Sequence, residues 1–357
     1  MKRKLFIFLA IISSALAFPQ AGNGVYQVLN VPIDARSIGL GGSNVSVYDG
    51  DLTLAFNNPA LLSSLSHNML TFNYARFLSN INVGLVGYSR SFGKNKENTW
   101  GIGVNYFDFG KIPGFDEFGK PTGDFIAKDI NLNLMYARTL PKGFTVAGNL
   151  KPIYSAYERY SSAGIALDIG AHYNNDSLGL SLGLVLKNIG FQFKPYDKVR
   201  EKLPFNILFG LSWKFKHAPI RLSMTLHDLQ QWDLGYEMSE RAASEKNKPP
   251  KAKWYDMLFR HTIFSVEILP HKNFFISAGF NWRRCAEMNI NEFKSAGGLS
   301  FGAGLKISKF RAGFALAIFQ KGTLTYHATI STNLSEFGVG DKKIKQPKEK
   351  KETKSEN

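Results

Sequence analysis

Three groupings of side chains could do chemistry. His227-Asp228 supplies two members of a Ser–His–acid set, in which a carboxylate orients an imidazole that activates a hydroxyl. No nucleophile elbow accompanies the pair, and with many Ser and Asp in the chain a chance neighbourhood is the simpler account. The seven histidines are scattered from His67 to His327, none in an H-x-x-x-H or H-E-x-x-H spacing that would place two rings on one metal. His227 and His327 fall on the inward phase of their strands, where ordinary polar lining accounts for them. Ile38-Gly39-Leu40-Gly41-Gly42 lacks the glycine spacing and the Lys-Ser/Thr of a phosphate loop, so it predicts a backbone bend. The single Cys285 excludes disulfides and zinc sites built on several thiolates. The expectation is no catalytic set, no metal and no cofactor.

The elements that carry these residues are strands. The 357 residues include 33 Gly and 29 Phe, and 44% hydrophobic content excludes low-complexity disorder. From Asn68 to Leu334 apolar residues alternate with small or polar ones. Trp100, Ile102, Val104 and Tyr106 alternate with Gly101, Gly103 and Asn105, and Leu178 to Leu186 alternate with Gly179, Ser181 and Gly183. The runs exceed the usual soluble strand of about 5–6 residues. A long apolar face opposite a small or polar one matches a transmembrane barrel, whose closure leaves no backbone group unpaired in lipid. The fold class is therefore all-β, an outer-membrane β-barrel of about fourteen antiparallel strands, an even number as single-chain barrels require.

The connections sort by length. Gly93–Asn98, Pro141-Lys142, Asn174–Asp176, His217-Ala218, His271-Lys272 and Ser308-Lys309 are short and fall on one side. Lys111–Ala127, Lys194–Leu203, Asp233–Leu258 and Ala286–Lys294 are long and fall on the other, as outer loops do. Residues 1–17 have the form of a signal peptide: basic Lys2-Arg3-Lys4, an apolar Leu5 to Ile12 and the cleavage pattern Ala15-Leu16-Ala17. Residues 18–67 are too polar for lipid and too apolar for a free tail, which predicts a plug in the lumen beneath glycine-rich inner faces. Residues 68–334 make the barrel. Residues 335–357, with seven Lys, predict a disordered basic tail.

The formal charge is +16, or +13 once the signal's three cations are removed. The basic residues outside the tail form no patch, so nucleic acid is not expected; a basic surface facing lipid and acidic lipopolysaccharide is. Trp232 and Trp254-Tyr255 flank the charge-balanced Asp233–Leu258 loop. They predict either an aromatic girdle at the membrane interface or anchors for a protein partner.

Two segments carry a family resemblance. Val31 to Gly42, with the order Val-Pro-Ile-Asp-Ala-Arg-Ser-Ile-Gly-Leu-Gly-Gly, and Asp51 to Ala60, ending in Asn57, Asn58, Pro59 and Ala60, resemble the start of the PorV/PorQ family of Bacteroidetes. The likeness continues through Ser155-Ala156-Tyr157, Lys216-His217-Ala218-Pro219, His227 to Trp232 and Ser331 to Leu334, and looks closest to the PorQ branch. Many outer-membrane barrels finish on an aromatic; here a lysine-rich segment follows Leu334. The resemblance implies a FadL-like barrel with a lumenal hatch at Asn57–Ala60. It also implies a place in the type IX secretion system, in an attachment complex with a PorU-like sortase, a PorV-like cargo shuttle and a PorZ-like surface protein. The broader FadL-like fold implies an alternative, a channel for hydrophobic solutes.

Overall fold

The computed structural model describes residues 24–77, 81–234, 253–287, 296–320 and 323–339. The signal peptide expected at 1–17, most of the basic tail and the centre of the Asp233–Leu258 loop lie outside the described residues.

The described residues form fourteen strands in one closed barrel, each paired antiparallel with its sequence neighbours and β1 with β14. The first seven are β1 (Met69–Arg76), β2 (Asn82–Phe92), β3 (Asn98–Phe115), β4 (Pro121–Thr139), β5 (Phe144–Tyr157), β6 (Tyr160–Asn175) and β7 (Leu180–Lys194). The rest are β8 (Asn206–Lys214), β9 (Ile220–Leu226), β10 (Thr262–His271), β11 (Phe274–Asn281), β12 (Leu299–Ile307), β13 (Phe310–Gln320) and β14 (Thr323–Asn333). Closure sets Phe72 opposite Ile330 and Tyr74 opposite Ala328. The apolar phase faces out: Phe72, Tyr74, Trp100, Ile102 and Val104 are exposed, while Thr71, Asn73 and Thr99 are buried. An apolar band outside and a polar lining inside is the division lipid demands of a barrel.

Three stretches depart from the alternation pattern. Lys111–Ala127 is not an open loop: β3 and β4 stay paired out to Phe115 and Pro121, and the turn is closed by Asp116 Oδ1, which accepts from Phe118 N at 3.0 Å and Lys120 N at 2.8 Å. β9 stops at Leu226 rather than running to Trp232, because Asp228 takes a left-handed φ of 55°. β11 stops at Asn281, where Asn281 Oδ1 accepts from Arg284 N at 3.0 Å and starts a helix over Trp282–Glu287.

The helices are α1 (Ala35–Gly39), α2 (Trp254–Arg260) and α3 (Trp282–Glu287). α2 and α3 brace each other at the long-loop end: Trp282 Nε1 donates to Asp256 at 3.2 Å, and Phe259 and Trp282 have ring centroids 5.0 Å apart. α1 lies inside the barrel with the rest of the N-terminal segment. That segment enters at the long-loop end, where Val25 N donates to Lys202 O at 3.0 Å, and leaves at the short-turn end, where Asn333 Nδ2 donates to His67 O at 3.0 Å. Beyond β14 the chain is not immediately free. Leu334–Phe337 form a 3-10 turn, and Asn68 Nδ2 donates to Ser335 Oγ at 2.9 Å.

Candidate functional site

Residues 24–67 pack against inner walls all round the barrel, and small residues on those walls set the distance. A Cβ added to Gly183 would sit 1.8 Å from Val45 O, and one on Gly279 would sit 2.1 Å from Gly41 N. Only hydrogen fits between wall and segment at those two points.

Asn57–Ala60 is the segment's pin to β6. Asn58 is fully buried, and its Oδ1 accepts from Ala60 N at 3.0 Å, capping the 3-10 turn that Pro59 opens. Its Nδ2 donates to Val45 O at 2.9 Å, and a Cβ on Gly170 would lie 2.2 Å from its Oδ1. Asn57 Nδ2 donates to Ser37 Oγ at 2.6 Å, which ties the motif to α1. Asn58→Ala should lower barrel stability by about 1 to 3 kcal/mol, combining a lost cap with two orphaned backbone groups. Urea unfolding in detergent checks it; a midpoint equal to that of the native protein would remove the motif as a pin.

A buried charge network joins segment and wall near the short-turn end. Arg36 of α1 meets Glu267 of β10 at 2.7 Å and Asp49 at 2.8 Å; Arg221 of β9 meets the same two carboxylates at 3.1 and 3.0 Å. Glu267 is fully buried, whereas Asp49 is partly exposed to a cavity. Burial works against charge on Arg36, but the Glu267 and Asp49 carboxylates outweigh it and raise its pKa. Burial opposes charge on Asp49 too, and the two guanidiniums overcome it and hold the carboxyl well below its usual range. Lys151 and Asp168 form a second inward pair at 2.6 Å. Arg36, Arg221 and Glu267 did not stand out in the sequence, yet a signal existed: Arg221 and Glu267 occupy the inward phase of lipid-facing strands, where a charge requires a partner.

The segment separates the interior cavities. At the long-loop end a cavity of about 260 Å³ is lined by Asn30, Lys187, Asn206, His227, Arg283 and Arg284 among others. At the short-turn end lie cavities of about 410 and 340 Å³ that share Asp49, Lys214 and Arg221. No lining residue is common to the two ends.

His227-Asp228 is a real pair inside the first cavity. His227 Nδ1 lies 2.7 Å from Asp228 Oδ2, and Arg283 Nη1 donates to the same oxygen at 2.7 Å. Burial would raise the Asp228 pKa, but His227 and Arg283 bring it down to about 2. Among the described residues no serine hydroxyl completes a triad, because His227 Nε2 is buried without a hydrogen-bond partner. His327 faces the lumen, its Nδ1 2.9 Å from Ile33 O. Among the described residues no group of three His, Cys, Asp or Glu gathers around a point that could hold an ion.

The aromatic residues flanking the long loop sit just off the strands, Trp254 and Tyr255 on α2 and Trp232 in the bend after β9. Trp232 stacks on His261 with centroids 5.5 Å apart, and Trp254 meets Tyr255 edge-on at 6.0 Å. Trp254 is 71% exposed, Trp232 59% and Tyr255 45%. Lys194–Leu203 behaves differently. Val199 at its tip is exposed, but Leu203 turns inward and packs with Val25, Tyr26 and Leu29.

No protein-family model and no curated protein matches the chain. Solved structures do. The Pseudomonas putida toluene transporter TodX superposes with a TM-score of 0.51 at 12% identity, covering 84% of this chain and 96% of that one. The deltaS2 mutant of the TodX monoaromatic hydrocarbon channel gives 0.50 at 12%, covering 85% and 97%. The chain shares their closed outer-membrane β-barrel fold. At these identities the likeness carries the fold alone.

Proposed function

We propose that the chain is a non-catalytic outer-membrane barrel that anchors a surface attachment complex of the type IX secretion system. The observation that supports this most is the pairing of a lumen occupied by residues 24–67 with exposed aromatic residues at the long-loop end: Trp254 and Tyr255 on the braced helix α2, and Trp232 stacked on His261. Exposed Trp and Tyr on a rigid support are the usual anchors of a protein interface. The PorV/PorQ resemblance supplies the partners: a PorU-like sortase, a PorV-like shuttle and a PorZ-like surface protein, set in lipid and lipopolysaccharide. The tagged protein, purified from its own outer membrane in mild detergent, should bring down a sortase-like protease and a large surface protein in near-equal amounts. Trp254→Ala with Tyr255→Ala should release them while the barrel stays folded. Recovery of the bare barrel from cells that still display cargo would sink the reading.

A second reading, a channel for hydrophobic solutes gated by residues 24–67, draws on the likeness to a toluene transporter. The polar lining of the long-loop cavity suits such a solute poorly. Liposomes carrying the barrel should pass toluene faster when residues 24–67 are deleted if this reading holds.

A further inference from the structure

We propose that the cavity at the long-loop end is a binding site for a small anion, a phosphate or carboxylate group received by Arg284, Lys187 and Arg283. This rests on neither functional reading.

The cavity holds three cationic side chains and one carboxylate, Asp228, which is already engaged by Arg283 and His227. Two of the cations are unspent. Arg284 has no carboxylate partner among the described residues, and its Nη1 is buried with no hydrogen-bond partner. Its guanidinium carbon lies over the Phe319 ring, 4.1 Å from the centroid. Burial alone pulls its pKa down to about 10, which leaves it charged at neutral pH. Lys187, on the opposite wall in β7, is 6% exposed and makes no hydrogen bond or ion pair among the described residues. The nearby acid, Asp168, is taken by Lys151 at 2.6 Å.

A buried guanidinium without a carboxylate partner, and a buried ammonium whose nearest acid is already paired, are costly unless something satisfies them. The cavity between them is too small for a drug-sized molecule but takes a phosphate or short carboxylate, and a guanidinium fork matches either geometry. His227 lines the same cavity, and its Nε2 is also buried without a hydrogen-bond partner. Asn30, Asn206 and Asn281 also line the cavity.

The test is calorimetric titration of the full-length barrel, in a non-ionic detergent at constant ionic strength, with sodium phosphate and separately with sodium succinate. Chloride serves as the baseline salt. Saturable binding of either anion is expected, with affinity at least tenfold weaker in Arg284→Gln and in Lys187→Met. Lys306→Gln, at the opposite mouth, should bind as the native protein does. Retained heat-modifiable migration on gels confirms that each variant is folded. A measurement free of variants runs beside it: the native protein's thermal midpoint should climb with anion concentration as mass action requires. Absence of saturation with both anions, a flat thermal midpoint, or equal affinity in a folded Arg284→Gln would each overturn the proposal.

Discussion

Gly183→Val should leave a closed barrel and expel the N-terminal segment from the wall it lies against. The strand itself has no objection, since valine favours extended backbone and Gly183 holds no left-handed φ. The obstacle is Val45 O, 1.8 Å from where the new Cβ would stand, backed by Asn58 Nδ2 at 3.2 Å. A carbonyl held by its own chain cannot yield as a flexible side-chain tip would, so the whole bend at Val45 has to move. Gly279→Val repeats the experiment on the facing wall, against Gly41 N. Trypsin is the probe. Arg36 is buried in the native lumen and should resist cleavage; in either variant it should be cut within minutes, and planar-bilayer conductance should rise severalfold. Ala328→Val, on the outer face, is the matched control. Equal protection of Arg36 in all of these proteins would show that the close approach is not what seats the segment.

The second large effect lies at Glu267. Glu267→Gln removes the one fully buried carboxylate that meets both Arg36 and Arg221, leaving two guanidiniums to share Asp49. Stranding a buried charge in this way costs about 3 to 5 kcal/mol, more than the intact pair contributes over an apolar substitute. Urea unfolding in detergent should therefore show a markedly lower midpoint for Glu267→Gln. The double variant Glu267→Met with Arg36→Met keeps Arg221 and Asp49 balanced at 3.0 Å and should regain most of the loss. If both proteins fall equally, uncompensated charge is not the cause.

The strands were legible because lipid writes a strict rule along them: one phase apolar, the other not. That rule set the fourteen runs and separated long connections from short. It failed where a single side chain overrides the period. Asp228 ends β9 by taking a left-handed backbone and bonding His227 and Arg283. At Asn281 the apolar run continues through Trp282, but an Asn side chain caps a helix instead. The inner site was harder to see. Asn58 and Pro59 mark a cap in any sequence, and the glycines at 39, 41 and 42 mark a bend, so residues 24–67 were readable as a folded segment. Arg36 was not, because its buried partner Glu267 lies far along the chain on β10 and a pairing across the lumen has no local signature. Lys187 and Arg284 were hidden for the same reason, brought to one cavity only by closure of the ring.

The route of the N-terminal segment through the barrel bears on how the chain folds. Ala35 N donates to Thr329 Oγ1 and His327 Nδ1 meets Ile33 O, each across 294 residues. Those bonds cannot exist until the last strand arrives, and the β1–β14 seam then seals the segment inside. Assembly must therefore keep residues 24–67 on the concave side of a growing, open sheet. Threading after closure would require passing α1 and its charges between walls that residues 24–67 touch at Gly183 and Gly279. Such non-local closure is slow, and the half-built sheet exposes Glu267 until Arg36 has taken its place. A segment that seats early on β6 and β7 would turn a random search for the closing strand into a templated one.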